Sequence, residues 1–360
     1  MKTENQYINH EDKIDNSKSY SESKSVVINT NNKQIDTVSS LNIYYLIIMF
    51  MCCTSSLYLI TYYDSYWEKI YDKMPLNYIL PNLYDFYIVA IITPILIFIK
   101  VLCENNLQNI LYPYLESKYM DINDKVNYDL GLVYKRKLAI GIFKVLYYIF
   151  ATIIGYFTLK DLNIMPKELY IFNGDISNMT TFVYPEYLLF SKNAFFDFYY
   201  LMGISFVITD LIWLLFFYDA QSDFYLMLLH HTLTISLITF SFLFNLSQVG
   251  VIVFYLHDLT DIFVYICRLS LNLTIPTKFK IIPALLLFVV WIYARIYLYG
   301  KYLYNVFLLF TVVDPNNIHG KILLSYASIL FLMNIFWLIQ ILRRLISLKF
   351  VDVGKIQKNK

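Results

Sequence analysis

Apolar residues gather into long blocks separated by polar ones. A bilayer core is crossed by about 20 mostly apolar residues in helix, and eight blocks reach that length: 41–63, 84–103, 138–159, 196–218, 224–246, 249–269, 280–300 and 322–342. The pattern predicts an all-α, polytopic membrane protein with about eight transmembrane helices. Pro94 and Pro283 fall inside the second and seventh blocks, where each removes a backbone donor and is expected to bend its helix. Residues 1–40 are polar and read as a disordered tail, with no cleavable signal peptide at the start. Residues 349–360 read as a short basic tail.

Composition supports the membrane reading. Apolar types make up 58% and charged residues 16%, against about 45–50% and about 25% in soluble domains. A formal net charge of +2 excludes a general nucleic-acid binder, because counterion release requires an excess of Lys and Arg. Cys52, Cys53, Cys103 and Cys267 lie in or beside apolar blocks without metal-site spacing and read as packing residues.

Lys and Arg near span ends set orientation. Lys135, Arg136 and Lys137 precede the third block, Lys278 and Lys280 flank the start of the seventh, and Arg343, Arg344 and Lys349 follow the eighth. With eight crossings all three clusters share one side, assigned to the cytosol, and both termini lie there. The 64–83, 160–195 and 301–321 loops then face the lumen, and Asn178 in the second of them heads a glycosylation sequon.

Ionisable groups inside a bilayer cost about 2.5–3.5 kcal/mol each, so the fifth and sixth blocks stand out. The fifth holds His230, His231, Thr234, Ser236, Ser241 and Asn245, and the sixth His257, Asp258, Asp261 and Arg268. At about 100° per residue, His230, Thr234, Ser241 and Asn245 fall within an arc of about 60°, and Asp258, Asp261, Tyr265 and Arg268 within about 80°, with His257 at the edge. A two-residue turn between the blocks brings the stripes together as a polar pocket, imidazoles opposite carboxylates. Ser236, Ser241 and Asn245 read first as interhelical hydrogen-bonding groups; two adjacent His facing an Asp pair are more than such contacts require. Asp210 in the fourth block is either a structural partner or a pocket member. Arg268 either pairs with Asp261 or extends to the interface.

A buried neutral imidazole serves as base or nucleophile, with a carboxylate to orient it. The repeated His boxes of di-iron membrane oxygenases are absent from a chain with five His. A single ion held by His230, His231 and Asp258 is the remaining metal reading, and metal-free acid–base or nucleophilic chemistry is the main one.

The run DFYLMLLHHTLTISLITFSFLFNLSQVGVIVFYLHDLTDIFVYICR, Asp223 to Arg268, resembles the signature of the TLC-domain ceramide synthases. Asp223, Phe224, His230, His231, Thr234, Phe240, Ser241, Asn245, Gly250, His257, Asp258 and Asp261 fall in register with it. Weaker matches extend over roughly 84–348, including Tyr184-Pro185, Arg295 and Ile335-Phe336-Trp337; 41–83 is then an additional transmembrane helix and lumenal loop. The chain departs from the family at Ala220, Gln221 and Ser222, where basic residues are usual, at Tyr265 and Arg268, and at Asn334, where a His is usual.

The resemblance implies a multi-pass enzyme of the endoplasmic reticulum membrane with a six-helix TLC-type core bundle around a lipid cavity, and a homodimer. It implies transfer of a fatty acyl group from acyl-CoA, a co-substrate rather than a bound cofactor, to the amine of a sphingoid base. His230, His231, Asp258 and Asp261 would be catalytic: an imidazole as base or acyl carrier, Asp258 orienting it, Asp261 orienting or pairing with Arg268 or the amine. His257, Thr234, Ser241, Asn245, Arg268 and Asp223 would bind substrate. TLC domains also occur in non-enzymatic lipid-transport and trafficking proteins, which is the alternative.

Overall fold

The structure, a computed structural model, describes residues 44–45, 47–71, 83–111, 125–161, 194–216, 223–273 and 276–358. The polar tail, Asn178, Tyr184-Pro185 and the 220–222 departure lie outside them. The chain divides into two units, Met1–Met51 and Cys52–Lys360. In the first, residues 47–51 are helical; the account below concerns the second.

The described elements are all helical: α1 (Ile47–Thr61), α2 (Tyr63–Tyr71), α3 (Tyr87–Leu111, entered by a short 3₁₀ turn), α4 (Lys125–Asp161), α5 (Ala194–Phe216), α6 (Phe224–Leu243), α7 (Ser247–Asn272), α8 (Thr277–Val290), α9 (Tyr299–Leu308) and α10 (Ile318–Lys358). Lipid offers no partner to a backbone N–H or C=O, so each spanning segment must bond its own. Among the described residues seven helices are long and apolar enough to cross a membrane, one in each of α3 to α7, one running from Phe279 to Val312, and one in α10.

Within the first predicted span the described apolar helix covers Ile47–Thr61, about 22 Å at 1.5 Å per residue; residues 41–43 and 46 of that span lie outside the described residues. Among the described residues seven helices, against the eight expected, reach spanning length. Predicted loops also shorten. Residues 63–71 form α2, and α10 continues to Lys358.

The seventh span is the most altered from expectation. α8 passes through Pro283 and runs into a π-helical stretch, Trp291–Leu298, then α9, then a second π-helical turn, Leu309–Val313. The supposed 301–321 loop shrinks to four residues. Asn317 ends it, its side chain accepting from the Gly320 amide at 2.9 Å, which is N-cap geometry for α10.

Glycines let the spans approach closely. A Cβ on Gly203 would lie 2.0 Å from the Phe254 ring, and one on Gly155 2.8 Å from Tyr199 and Tyr255. The core between α4, α5 and α7 is aromatic: Tyr147 stacks on Phe206 at 3.4 Å, and Tyr199, Tyr200 and Phe254 are buried beside them.

The α6–α7 junction spans three residues, Phe244–Leu246. Asn245 sits in it with φ 54°, donating its amide to the Phe242 carbonyl at 3.1 Å while Leu246 donates to the Ser241 carbonyl at 2.8 Å. This is a Schellman closure, with Asn at the left-handed position. Asn245→Ala should therefore cost about 1–2 kcal/mol in unfolding experiments on detergent-solubilised protein, whereas Asn245→Gly should cost little.

Candidate functional site

A single cavity gathers most of the residues singled out above. Its volume is about 140 Å³; a cavity of about 150 Å³ accepts a benzene-sized group. α6 contributes His230, His231, Thr234 and Ser241, α7 contributes His257, Asp258 and Asp261, and α5 contributes Asp210. Leu237, Val253, Val306, Leu323 and Leu330 supply apolar wall.

On α6 the paired imidazoles stand 5.5 Å apart between ring centroids. His231 is buried, and His230 packs edge-on against Trp337 of α10 at 5.2 Å. Among the described residues neither Nδ1 has a hydrogen-bond partner, although both are buried. Such groups are rare in folded proteins and call for an explanation. Thr234 donates back to the His230 carbonyl at 2.8 Å.

On α7 His257 directs Nδ1 to the Val253 carbonyl at 2.7 Å. That contact requires a proton on Nδ1 and leaves Nε2 as the acceptor. Asp258 is 3% exposed and accepts a hydrogen bond from the Tyr199 hydroxyl at 2.8 Å. The carboxylate expected to orient an imidazole is thus engaged by a phenol from α5. Asp261 pairs with Arg295, not Arg268: Arg295 Nη2 lies 2.5 Å from Asp261 Oδ1. The same guanidinium donates to the His257 carbonyl at 3.2 Å and to Asn334 Oδ1 at 3.3 Å, and lies over the Trp291 ring. Arg295 reaches these partners from the π-helical stretch, a geometry that recurs at functional sites.

Asp210 is both pocket member and structural partner. It lines the cavity while its two oxygens bind Lys100 Nζ at 2.8 Å and Lys144 Nζ at 2.6 Å. Lys144 also donates to Tyr265 at 3.0 Å, and Lys100 lies over the Trp213 ring. This cluster ties α3, α4 and α5 together. Asp210→Asn leaves two buried ammonium groups without their anion and should lower stability by about 3–5 kcal/mol, read as denaturant unfolding of the purified protein.

Three expected site residues stand elsewhere. Asn245 is the helix-closing residue already described, so it leaves the α6 stripe. Arg268 is exposed and lies over the Tyr265 ring, 5.4 Å from its centroid. Asp223 is the residue before α6, its carbonyl accepting from Met227, about two turns short of the imidazoles. None of the three lines the cavity. Among the described residues no three His, Cys, Asp or Glu side chains converge to hold a metal ion, so the single-ion arrangement on His230, His231 and Asp258 is not formed. Lys100 and Lys144 went unnoticed in the sequence, although both are charges inside apolar blocks, the same signal that marks Asp258; Tyr199 and Tyr200 carried part of the family resemblance but were assigned no site role.

The TLC domain matches residues 137–343, which hold six of the seven long helices; α3 precedes them. Similar curated proteins include a sphingosine N-acyltransferase-like protein of Gibberella moniliformis, 26% identical over 48% of this chain and 47% of its own length. The sphingosine N-acyltransferase lac1 of Schizosaccharomyces pombe is 28% identical over 44% of each chain. A ceramide synthase of Caenorhabditis elegans is 33% identical over 30% of this chain and 32% of its own. The chain spans about half, or less, of the length of these relatives.

Proposed function

We propose, from the premise that the chain belongs to the TLC-domain family, that it is an acyl-CoA-dependent N-acyltransferase acting on a sphingoid base in the endoplasmic reticulum membrane. The observation that carries the reading is the pair of buried imidazoles, each with an Nδ1 that has no hydrogen-bond partner among the described residues, lining one cavity together with Asp258 and Asp261. Sphingosine N-acyltransferase relatives support the substrate class. The spans from α4 to α10 serve as the six-helix core, with α3 fastened to it through Lys100–Asp210, and the basic clusters face the cytosol.

In the reaction the amine nitrogen forms a bond to the thioester carbonyl carbon, the C–S bond breaks, and CoA leaves as its thiol. The ammonium substrate gives up its protons, one to the departing sulfur and one to solvent. Two routes satisfy this. In one, His230 or His231 takes a proton as the amine attacks directly. In the other, an imidazole nitrogen first takes the acyl group and CoA departs; the amine then displaces the imidazole. Asp258, which accepts a hydrogen bond from Tyr199, would attract the ammonium group. Asp261, neutralised by Arg295, fixes the α7 turn that carries His257 and Asp258.

Protein reconstituted in lipid nanodiscs, given acyl-CoA and sphinganine, should release CoA thiol in step with N-acyl product. Well-folded protein that releases neither, across a panel of chain lengths, would leave a non-enzymatic lipid-handling role instead.

A further inference from the structure

An imidazole that moves a proton or carries an acyl group must hold its nitrogens in one direction, because a misplacement of about 1 Å costs about 10²-fold in rate. His257 meets that need with a hydrogen bond, Nδ1 to the Val253 carbonyl at 2.7 Å. His230 does not: among the described residues its Nδ1 has no hydrogen-bond partner. The ring contacts it makes are aromatic. The Trp337 indole stands against it at 5.2 Å between centroids and 85° between planes, and the His231 ring at 5.5 Å. Perpendicular ring contacts are directional, since the positive edge of one ring meets the negative face of the other.

The sequence places Trp337 for this contact. Leu323, Ala327 and Leu330 of α10 line the cavity. Asn334 and Trp337 continue the run at spacings of four and three, so all five share one face of the helix. Neither Asn334 nor Trp337 lines the cavity. Trp337 is itself braced. It meets the Trp291 indole at 6.4 Å and 87°, and packs with Leu338 and Ile341 against the buried cluster that Trp291 shares with Cys267 and Leu287. Trp291 donates its Nε1 proton to the Asn334 carbonyl at 3.1 Å, and the Arg295 guanidinium lies over its ring at 4.9 Å. Arg295 in turn pairs with Asp261. The imidazole on α6 is thus joined, through α10 and the π-helical stretch, to the carboxylate on α7.

The geometry points to Trp337 as the positioning residue of His230: its indole, braced by Trp291, fixes the plane of an imidazole that no hydrogen bond at Nδ1 fixes. This deepens the acyl-transfer reading and rests on it for the chemistry that His230 performs. Trp337 stands outside the cavity lining, so it acts through the imidazole and not on substrate.

Two variants separate the ring from the space it fills. Trp337→Leu keeps apolar bulk without a ring, and Trp337→Phe restores a smaller ring. With the full chain in lipid nanodiscs, acyl-CoA and sphinganine, Trp337→Leu should lower kcat by about 10²-fold and leave KM for both substrates unchanged. Trp337→Phe should recover most of that loss. Wild-type kcat in Trp337→Leu overturns the inference. So does a Trp337→Phe no better than Trp337→Leu, since a ring is then not what the position supplies. Trp337→Met, also ringless, takes over if Trp337→Leu does not fold. A second readout needs no turnover. In protein labelled with carbon-13 at histidine Cε1, the His230 resonance is identified by its loss in His230→Gln. It should be single and narrow in wild type and Trp337→Phe, and split or broadened by exchange in Trp337→Leu, while that of His257 stays narrow. A narrow His230 resonance in Trp337→Leu overturns the inference. Wild-type protein that makes no N-acyl product rejects the acyltransferase reading, and the resonance then decides whether Trp337 orients the ring.

Discussion

His230→Ala and His231→Ala are each expected to lower N-acylation of sphinganine by about 10²–10⁴-fold, the range over which a positioned acid or base contributes. Both rings line the cavity with an unpartnered Nδ1, so neither loss is explained by a broken structural hydrogen bond at that atom. His230 also packs on Trp337, and its replacement opens space there; monodisperse elution of the variant separates that effect from chemistry. The two routes differ in a further observable. Acyl-CoA added alone leaves an acyl adduct on wild-type protein if an imidazole carries the group, and His→Ala at the carrying position abolishes it. Normal turnover with no adduct after fast quenching favours direct attack. Unchanged product formation in both variants would remove the histidines from the mechanism.

Arg295→Met is expected to be the most damaging single change outside the histidines. It strands the Asp261 carboxylate, releases the His257 carbonyl and leaves Asn334 Oδ1 without its donor. Removing one member of a buried pair costs about 3–5 kcal/mol. Adding Asp261→Asn should restore part of that stability, because the stranded charge goes with it. Chemical unfolding of the single and double variants measures the coupling. A double variant no more stable than Arg295→Met would mean that the ion pair is not what the arginine provides. Activity should remain low even where stability returns, since the α7 turn loses its tether.

The spans and the cavity wall were legible in the sequence for a physical reason. Buried charge in lipid is costly enough that His230, His231, Asp258 and Asp261 stand out against their blocks, and helical periodicity then places them on facing stripes. All four line the cavity. What periodicity could not supply is which partner each group meets. Asp261 and Arg295 are 34 residues apart, and the π-helical register that aims Arg295 shifts its side chain off a regular helical face. Arg268, seven residues from Asp261, was the nearer cation along the chain but points outward. Asn245 matched the stripe by angle, yet α6 ends at Leu243, and past that point helical arithmetic no longer applies. Tyr199 and Tyr200 are two among 35 tyrosines, with no charge to mark a site role; packing shows that Tyr199 is the one that donates to Asp258.

The most direct test is made in membranes of a cell lacking its own ceramide synthases, expressing this chain and supplied with labelled sphinganine and acyl-CoAs of graded length. N-acyl sphinganine of a restricted set of chain lengths, absent with His231→Ala expressed at equal abundance, is the result expected of a cavity that holds both substrates at paired imidazoles. No N-acyl product from abundant, folded wild-type protein with any donor would contradict it.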